Sequence, residues 1–251
     1  MAQNTFRDPK DTYMRGVLVN IRASFKQAYE SGNLTNVFQG KKEDLEKPVN
    51  LVKGDRFHAN YYNSVIQYPE YKIPENKEQA KGFTFASAHE YFHLAAPPTT
   101  ANIIGHVAYK FRHVTSLATA AFGIAALQPQ SLPANVIIGI GGAILGRALT
   151  YQLTRPNREN EKKTDIAAAI ATGTTFKDFI DNNPIQSVQL SPYRKTRKAI
   201  KQMFIANVKT LEEITNIDMK PVKVAILDIM HPAVKDRITA TQQAVQSLRL
   251  G

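Results

Sequence analysis

The sequence contains no cysteine. That excludes a disulfide framework and all thiol chemistry, and it fits a reducing, cytosolic environment. No secretory signal is visible near the start: Met1 to Lys10 is polar, and Arg15, Arg22 and Lys26 interrupt the next segment. Charge is missing altogether from Val114 to Gly146, yet this stretch does not read as one membrane span. Pro129 and Pro133 split it into arms of roughly 14 residues, short of the ~20 that cross a bilayer. The Ala, Gly and Thr residues in both arms suit close helix packing. The expectation is a hairpin that is buried or dips into a membrane, rather than a double span.

Acidic residues are the scarcer charge, 21 against 32 basic ones, for a formal net charge of +11. Such an excess raises nucleic-acid binding as a possibility. The densest basic run, Tyr193 to Lys201, comes after Ser191-Pro192, a helix cap and first-turn proline. It reads as the solvated face of a helix whose apolar side is Ile200, Met203, Phe204 and Val208. No interleaved aromatics accompany it, which points away from nucleic acid; attraction to anionic lipid is the lesser alternative.

Most of the chemistry is concentrated at His89-Glu90-Tyr91-Phe92-His93. On a helix, H-E-x-x-H sets two imidazoles one turn apart on one face, where both can grip one zinc ion. Glu90, beside the first histidine, can take a proton from a metal-activated water. The helix is expected from Lys77 to Ala96, stopped by Pro97-Pro98, with Gly82 an awkward interior residue that moves its regular part towards Phe83. A catalytic zinc needs a third protein ligand and leaves its fourth position to water. Glu161 and Asp165 lie i, i+4 on a later helix face, which Arg158 shares. One of these carboxylates can reach the metal and the other can fix a histidine through its second N–H. His58, His106 and His113 lack partner spacing and are read as non-ligands.

Together these residues resemble the HtpX and CAAX-prenyl-protease family of zinc metallopeptidases. That family pairs H-E-x-x-H with R-x-x-E-x-x-A-D across a hydrophobic hairpin and closes on a His-Pro…Arg-Ile segment. The resemblance covers residues 77 to 240. It implies an α+β, mostly helical, zincin-like core with a small edge-strand sheet and a hydrophobic helical hairpin. It places His89, His93 and Glu161 as ligands of one Zn2+ per chain, Glu90 as general base, and Arg158 and Asp165 in supporting positions. By the same resemblance His231 is a candidate oxyanion donor, and Arg237 approaches the cleft or pairs with a carboxylate. The small-residue run Ile166 to Gly173 also fits. Departures are Thr164 for the customary alanine, Lys162 and Lys163 beside the proposed ligand, and Phe92, which would crowd the pocket floor.

The remaining elements are read from pattern. Asp11 to Ser31 reads as an amphipathic helix with Met14, Val17, Ile21, Phe25 and Ala28 on one side, docking on the core. Gly32 to Gly54 reads as a polar connector with little regular structure. Asn63 to Gln67 reads as a short strand before Pro69; in a zincin its free edge would pair with substrate, making Ser64, Val65 and Ile66 the binding residues. The expected division is 1–54, helix and connector, then 55–251, the metallopeptidase domain with its hairpin at 101–153. The reading is a zinc endopeptidase acting on a protein or peptide, intracellular, cytoplasmic or membrane-associated. The alternative is a basic, membrane-attached binding or scaffold protein that keeps a non-catalytic zinc site.

Overall fold

Apolar residues recurring every third or fourth position between Met14 and Ala28 roll the first segment into helix α1 (Pro9–Glu30), one side of which is buried. The structure, a computed structural model, describes residues 9–38, 40–54, 57–69, 74–182 and 231–250. The basic run 193–201 and its apolar companions up to Val208 lie outside the described residues.

After α1 come a 3-10 turn (Lys42–Glu46), strands β1 (Asn50–Gly54), β2 (His58–Asn60) and β3 (Val65–Pro69), and helix α2 (Lys77–Ala95). Next are α3 (Thr100–Lys110), α4 (Arg112–Leu127), α5 (Leu132–Leu153), α6 (Arg155–Thr172), α7 (Phe176–Asp181) and α8 (Val234–Leu250). The described protein is thus mostly helical, with one small three-stranded sheet. The chain forms two compact units. One holds the described residues up to Pro98, Glu161–Asn182 and Val234 onwards; the other holds Thr99–Asn160 and His231–Ala233.

In the first unit α1 docks on α2, as its pattern implies. Met14, Leu18, Ile21, Phe25 and Ala28 are buried, with Val17 half-buried at the margin. Phe25 stacks on Tyr91 and Phe92 of α2, with ring centroids 5.7 and 5.6 Å apart. Phe92 therefore fills the core, where Phe38 also meets it, and does not crowd a pocket floor. A division at residue 54 does not separate the cores: the described part of 1–54 shares one core with α2 and α6.

The segment 32–54, expected to be an irregular connector, contains β1, which pairs in parallel with β3, Leu51 opposite Ile66. Its alternation is short and half-exposed, so the lysines and Pro48 conceal it. Helix α2, expected to be regular only from Phe83, is regular from Lys77. It is capped by Asn76, whose side chain accepts the Gln79 N–H at 2.9 Å. Gly82 sits inside it because α7 crosses there: a Cβ would lie 3.2 Å from the Asp178 carbonyl oxygen and 3.3 Å from Phe179 Cα.

The second unit is built on the antiparallel pair α4 and α5. Gly142 and Gly146 let the helices close, since a Cβ at either would fall 2.6 to 2.8 Å from Ala120 Cα or Ser116 Cα. Thr119 Oγ1 donates to the Gly142 carbonyl at 2.6 Å across that seam. Helix α5 is longer than the roughly 14-residue arm expected, because it runs on through Arg147 to Leu153. By length and composition it alone among the described helices could cross a bilayer, and its surface is exposed rather than buried in a core.

Candidate metal centre

Helix α2 presents His89 and His93 on one face, and α6 brings Glu161 opposite them in the same compact unit. The two Nε2 atoms are 3.1 Å apart. Glu161 Oε2 lies 3.4 Å from His89 Nε2, and its Oε1 lies 3.2 Å from His93 Nε2. The imidazole rings stand nearly perpendicular, at 83°. One ion can touch all three residues, and this is the one such group of His, Cys, Asp and Glu among the described residues. The side chains of His89, His93 and Glu161 keep 11, 23 and 19 % of their surface open, so an ion can enter.

Behind His89 lies Asp165, one turn past Glu161 on α6 and fully buried. Its Oδ1 accepts the Nδ1–H of His89 at 3.0 Å, which directs Nε2 towards Glu161. Arg237 of α8 grips the same carboxylate with a fork, Nε to Oδ2 at 2.5 Å and a terminal nitrogen to Oδ1 at 2.6 Å. The guanidinium in turn lies 3.8 Å above the Phe176 ring. Phe176 is pinned by its own N–H, which donates to Thr241 Oγ1 at 3.1 Å.

Electrostatics follow the geometry. Burial works against charge on His89, but hydrogen bonds to Asp165 and Glu161 outweigh it and push its pKa up to about 10. Burial likewise opposes ionisation of Glu161, yet His93 and His89 hold it well below the ordinary carboxylate range. Asp165 obeys the same logic: desolvation raises its pKa, and Arg237 and His89 bring it down further than that. Two carboxylates are thus held ionised around an imidazole pair, their charge balanced by Arg237 and a protonated His89.

Glu90 is half-buried and is not part of the ligand triangle. Its Oε2 accepts the backbone N–H of Ala59 on β2 at 2.6 Å. This contact changes the assignment of the sheet. β3 is the central strand, with Val65 and Ile66 paired to β1 on one side and β2 on the other, so residues 64–66 offer no free edge. Ser64 sits at the strand's start with φ of 50°, its carbonyl taken by the Asn50 N–H. The edge that faces Glu90 belongs to β2, which the sequence does not reveal because a three-residue strand carries almost no pattern.

Lys162 and Lys163, which follow the candidate ligand Glu161 in sequence, are exposed, and Thr164 is fully buried. Arg158, in the second unit, lies 3.6 Å over the Tyr151 ring and donates to the Tyr151 carbonyl and Thr154 Oγ1. His231 is exposed, just before α8. Ala59, Phe176 and Thr241 escape sequence reasoning, since only tertiary contacts give them a role. Comparison with protein-family models, with curated proteins and with solved structures finds no match for this chain.

Proposed function

We propose that the protein is a zinc-dependent endopeptidase, and that His89, His93 and Glu161 hold the metal. The observation that carries this reading is the size of the ligand triangle. Ligands about 2.0–2.1 Å from a tetrahedral zinc stand about 3.3 Å from one another. Here the two imidazole nitrogens are 3.1 Å apart, and Glu161 sets one carboxylate oxygen 3.4 Å from His89 Nε2 and the other 3.2 Å from His93 Nε2. Among the described residues no fourth His, Cys, Asp or Glu joins the group, which suits a catalytic site better than a closed structural one.

Zinc bound there would serve as a Lewis acid, lowering the pKa of a water and polarising the scissile carbonyl. Glu90 takes the proton of the attacking water and returns it to the departing amine. Asp165 keeps His89 in the tautomer that presents Nε2, and Arg237 keeps Asp165 ionised and fixed. An extended peptide adds to the outer edge of β2, whose backbone points at the base.

Two histidines and a carboxylate also serve ferrous oxygenases, so the metal must be identified directly. The test is metal analysis of the purified protein together with peptide hydrolysis by the parent and by Glu90→Gln. Stoichiometric zinc, activity in the parent and its loss in the variant are expected. Iron as the native metal, or hydrolysis unchanged in the variant, would sink the proposal.

A further inference from the structure

We propose that the α4–α5 hairpin is a membrane wedge: it enters one face of an anionic bilayer, penetrates about three quarters of the hydrocarbon core without crossing it, and stops at a collar of basic side chains. The starting observation is the distribution of exposed apolar surface. Leu117, Phe122, Leu132, Ile137 and Leu145 are 65 to 77 % exposed. With Ile140, the apolar residues of the charge-free part of α5 cover an arc of roughly 220° at 100° per residue. The remaining arc is the Gly142 and Gly146 seam against α4. A protein partner covers one face of a helix pair, whereas lipid surrounds it.

The hydroxyls within the helical arms already have acceptors, as hydrocarbon demands. Thr115, Ser116 and Thr119 donate their hydroxyls to backbone carbonyls of the hairpin itself. At the tip the Gln128 N–H bonds the Ile124 carbonyl at 3.0 Å. Ser131 caps α5 through the Ala134 N–H, and Asn135 Nδ2 reaches the Ser131 carbonyl at 3.0 Å.

Depth is set by where charge begins. The charge-free arms run from Val114 to Leu127 and from Leu132 to Gly146. Each is about 21–22 Å long at 1.5 Å per residue, less than the hydrocarbon core of about 30 Å and more than half of it. Gly146 packs against Thr115 and Ser116, so Arg147, part of whose guanidinium is buried in the protein, lies level with the turn that carries Arg112 and the exposed His113. Lys110 and Tyr109 are next to that turn, and Arg112 lies 4.1 Å over the Tyr109 ring. Basic and tyrosine side chains at one level are the composition of a headgroup boundary. No acidic residue occurs between Glu90 and Glu159, so nothing near the collar repels anionic lipid.

The absence of cysteine makes the test direct, since single cysteines can be introduced without background. Full-length Gln130→Cys and Ile137→Cys, each carrying an environment-sensitive fluorophore, would be mixed with sealed vesicles of phosphatidylcholine with or without phosphatidylglycerol. Flotation with the anionic vesicles is expected, together with a blue shift at both positions. The unlabelled Gln130→Cys protein should resist an impermeant thiol reagent trapped in the lumen. Leu117→Asp should weaken vesicle binding on the order of 100-fold, with its circular dichroism unchanged. Failure to float, self-association that hides the fluorophores without lipid, or labelling of Gln130→Cys from the lumen would each overturn the wedge. None of these readouts depends on the metal centre.

Discussion

Ala59 and Glu90, 31 positions apart, are joined by a 2.6 Å hydrogen bond from the strand's backbone N–H to the carboxylate. The contact links the edge of β2 to the residue proposed as general base. It aims one carboxylate oxygen at the strand and leaves the other for a water.

Glu90→Gln should retain zinc, because Glu90 lies outside the ligand triangle, and an amide oxygen can still accept the Ala59 N–H. Peptide turnover should fall by about 10²–10⁴ through loss of the base. Ala59→Pro removes the donor at an edge position, where proline is tolerated. A rise in KM and a smaller fall in kcat are expected, with metal content unchanged. Identical steady-state constants for Ala59→Pro and parent would remove the strand from the mechanism.

Glu161→Ala should cost more metal affinity than the 10–100-fold typical of an outer partner, since a direct ligand is lost. Competition with a chromophoric chelator measures it. Zinc retained at parental affinity would mean that Glu161 is not a ligand.

Asp165→Asn tests the tether behind His89. Asp165 is fully buried and holds both the His89 Nδ1–H and the Arg237 fork. Breaking such a buried pair typically costs about 3–5 kcal/mol, so a lower urea midpoint is expected. In protein still folded, zinc affinity should fall by about 10–100-fold. A midpoint and an affinity equal to the parent's would contradict the tether.

pH should act on the metal-free protein in two windows. His89 has a folded pKa of about 10 against an ordinary 6.5. Its contribution to stability is complete below the ordinary value and is lost as pH rises towards the folded one. Asp165 is displaced downwards from 3.8, so its contribution holds above that value and is lost as pH falls through the lowered one. Zinc must displace the His89 proton, so its affinity should climb by up to about tenfold per pH unit in the neutral to alkaline range. Thermal melts with and without chelator, from acid to alkaline pH, check both. A zinc-induced shift in melting temperature that does not grow between pH 6 and 8 would contradict the proton competition.

Local and periodic features are legible in the sequence. His89, Glu90 and His93 are one motif on one helix, and Glu161 and Asp165 are one turn apart on another, so their shared faces can be read directly. Helix α1 is legible because its apolar residues repeat at helical spacing. β1 and β2 are not, since five and three half-exposed residues carry no periodic signal. Pattern therefore points to residues 63–67 as the edge strand, although their stronger apolar character reflects burial in the middle of the sheet. Ala59 and Phe176 matter only through partners distant in sequence, which pattern cannot supply. The outward face of the hairpin is equally hidden, because an uncharged helix reads alike whether it lines a core or faces outwards.

The fork of Arg237 on Asp165 also sets an order of assembly. The residues that complete the site are spread over 149 positions, from 89 to 237, and the last of them lies on α8. A chain still emerging from the ribosome can form α2 and α6, yet the Asp165 that anchors His89 has no guanidinium to hold it. The proposed metal site therefore gains its last support only when α8 is in place. On the proposed reading as a peptidase, the site would reach its full metal affinity only once its own newly made segments have folded away.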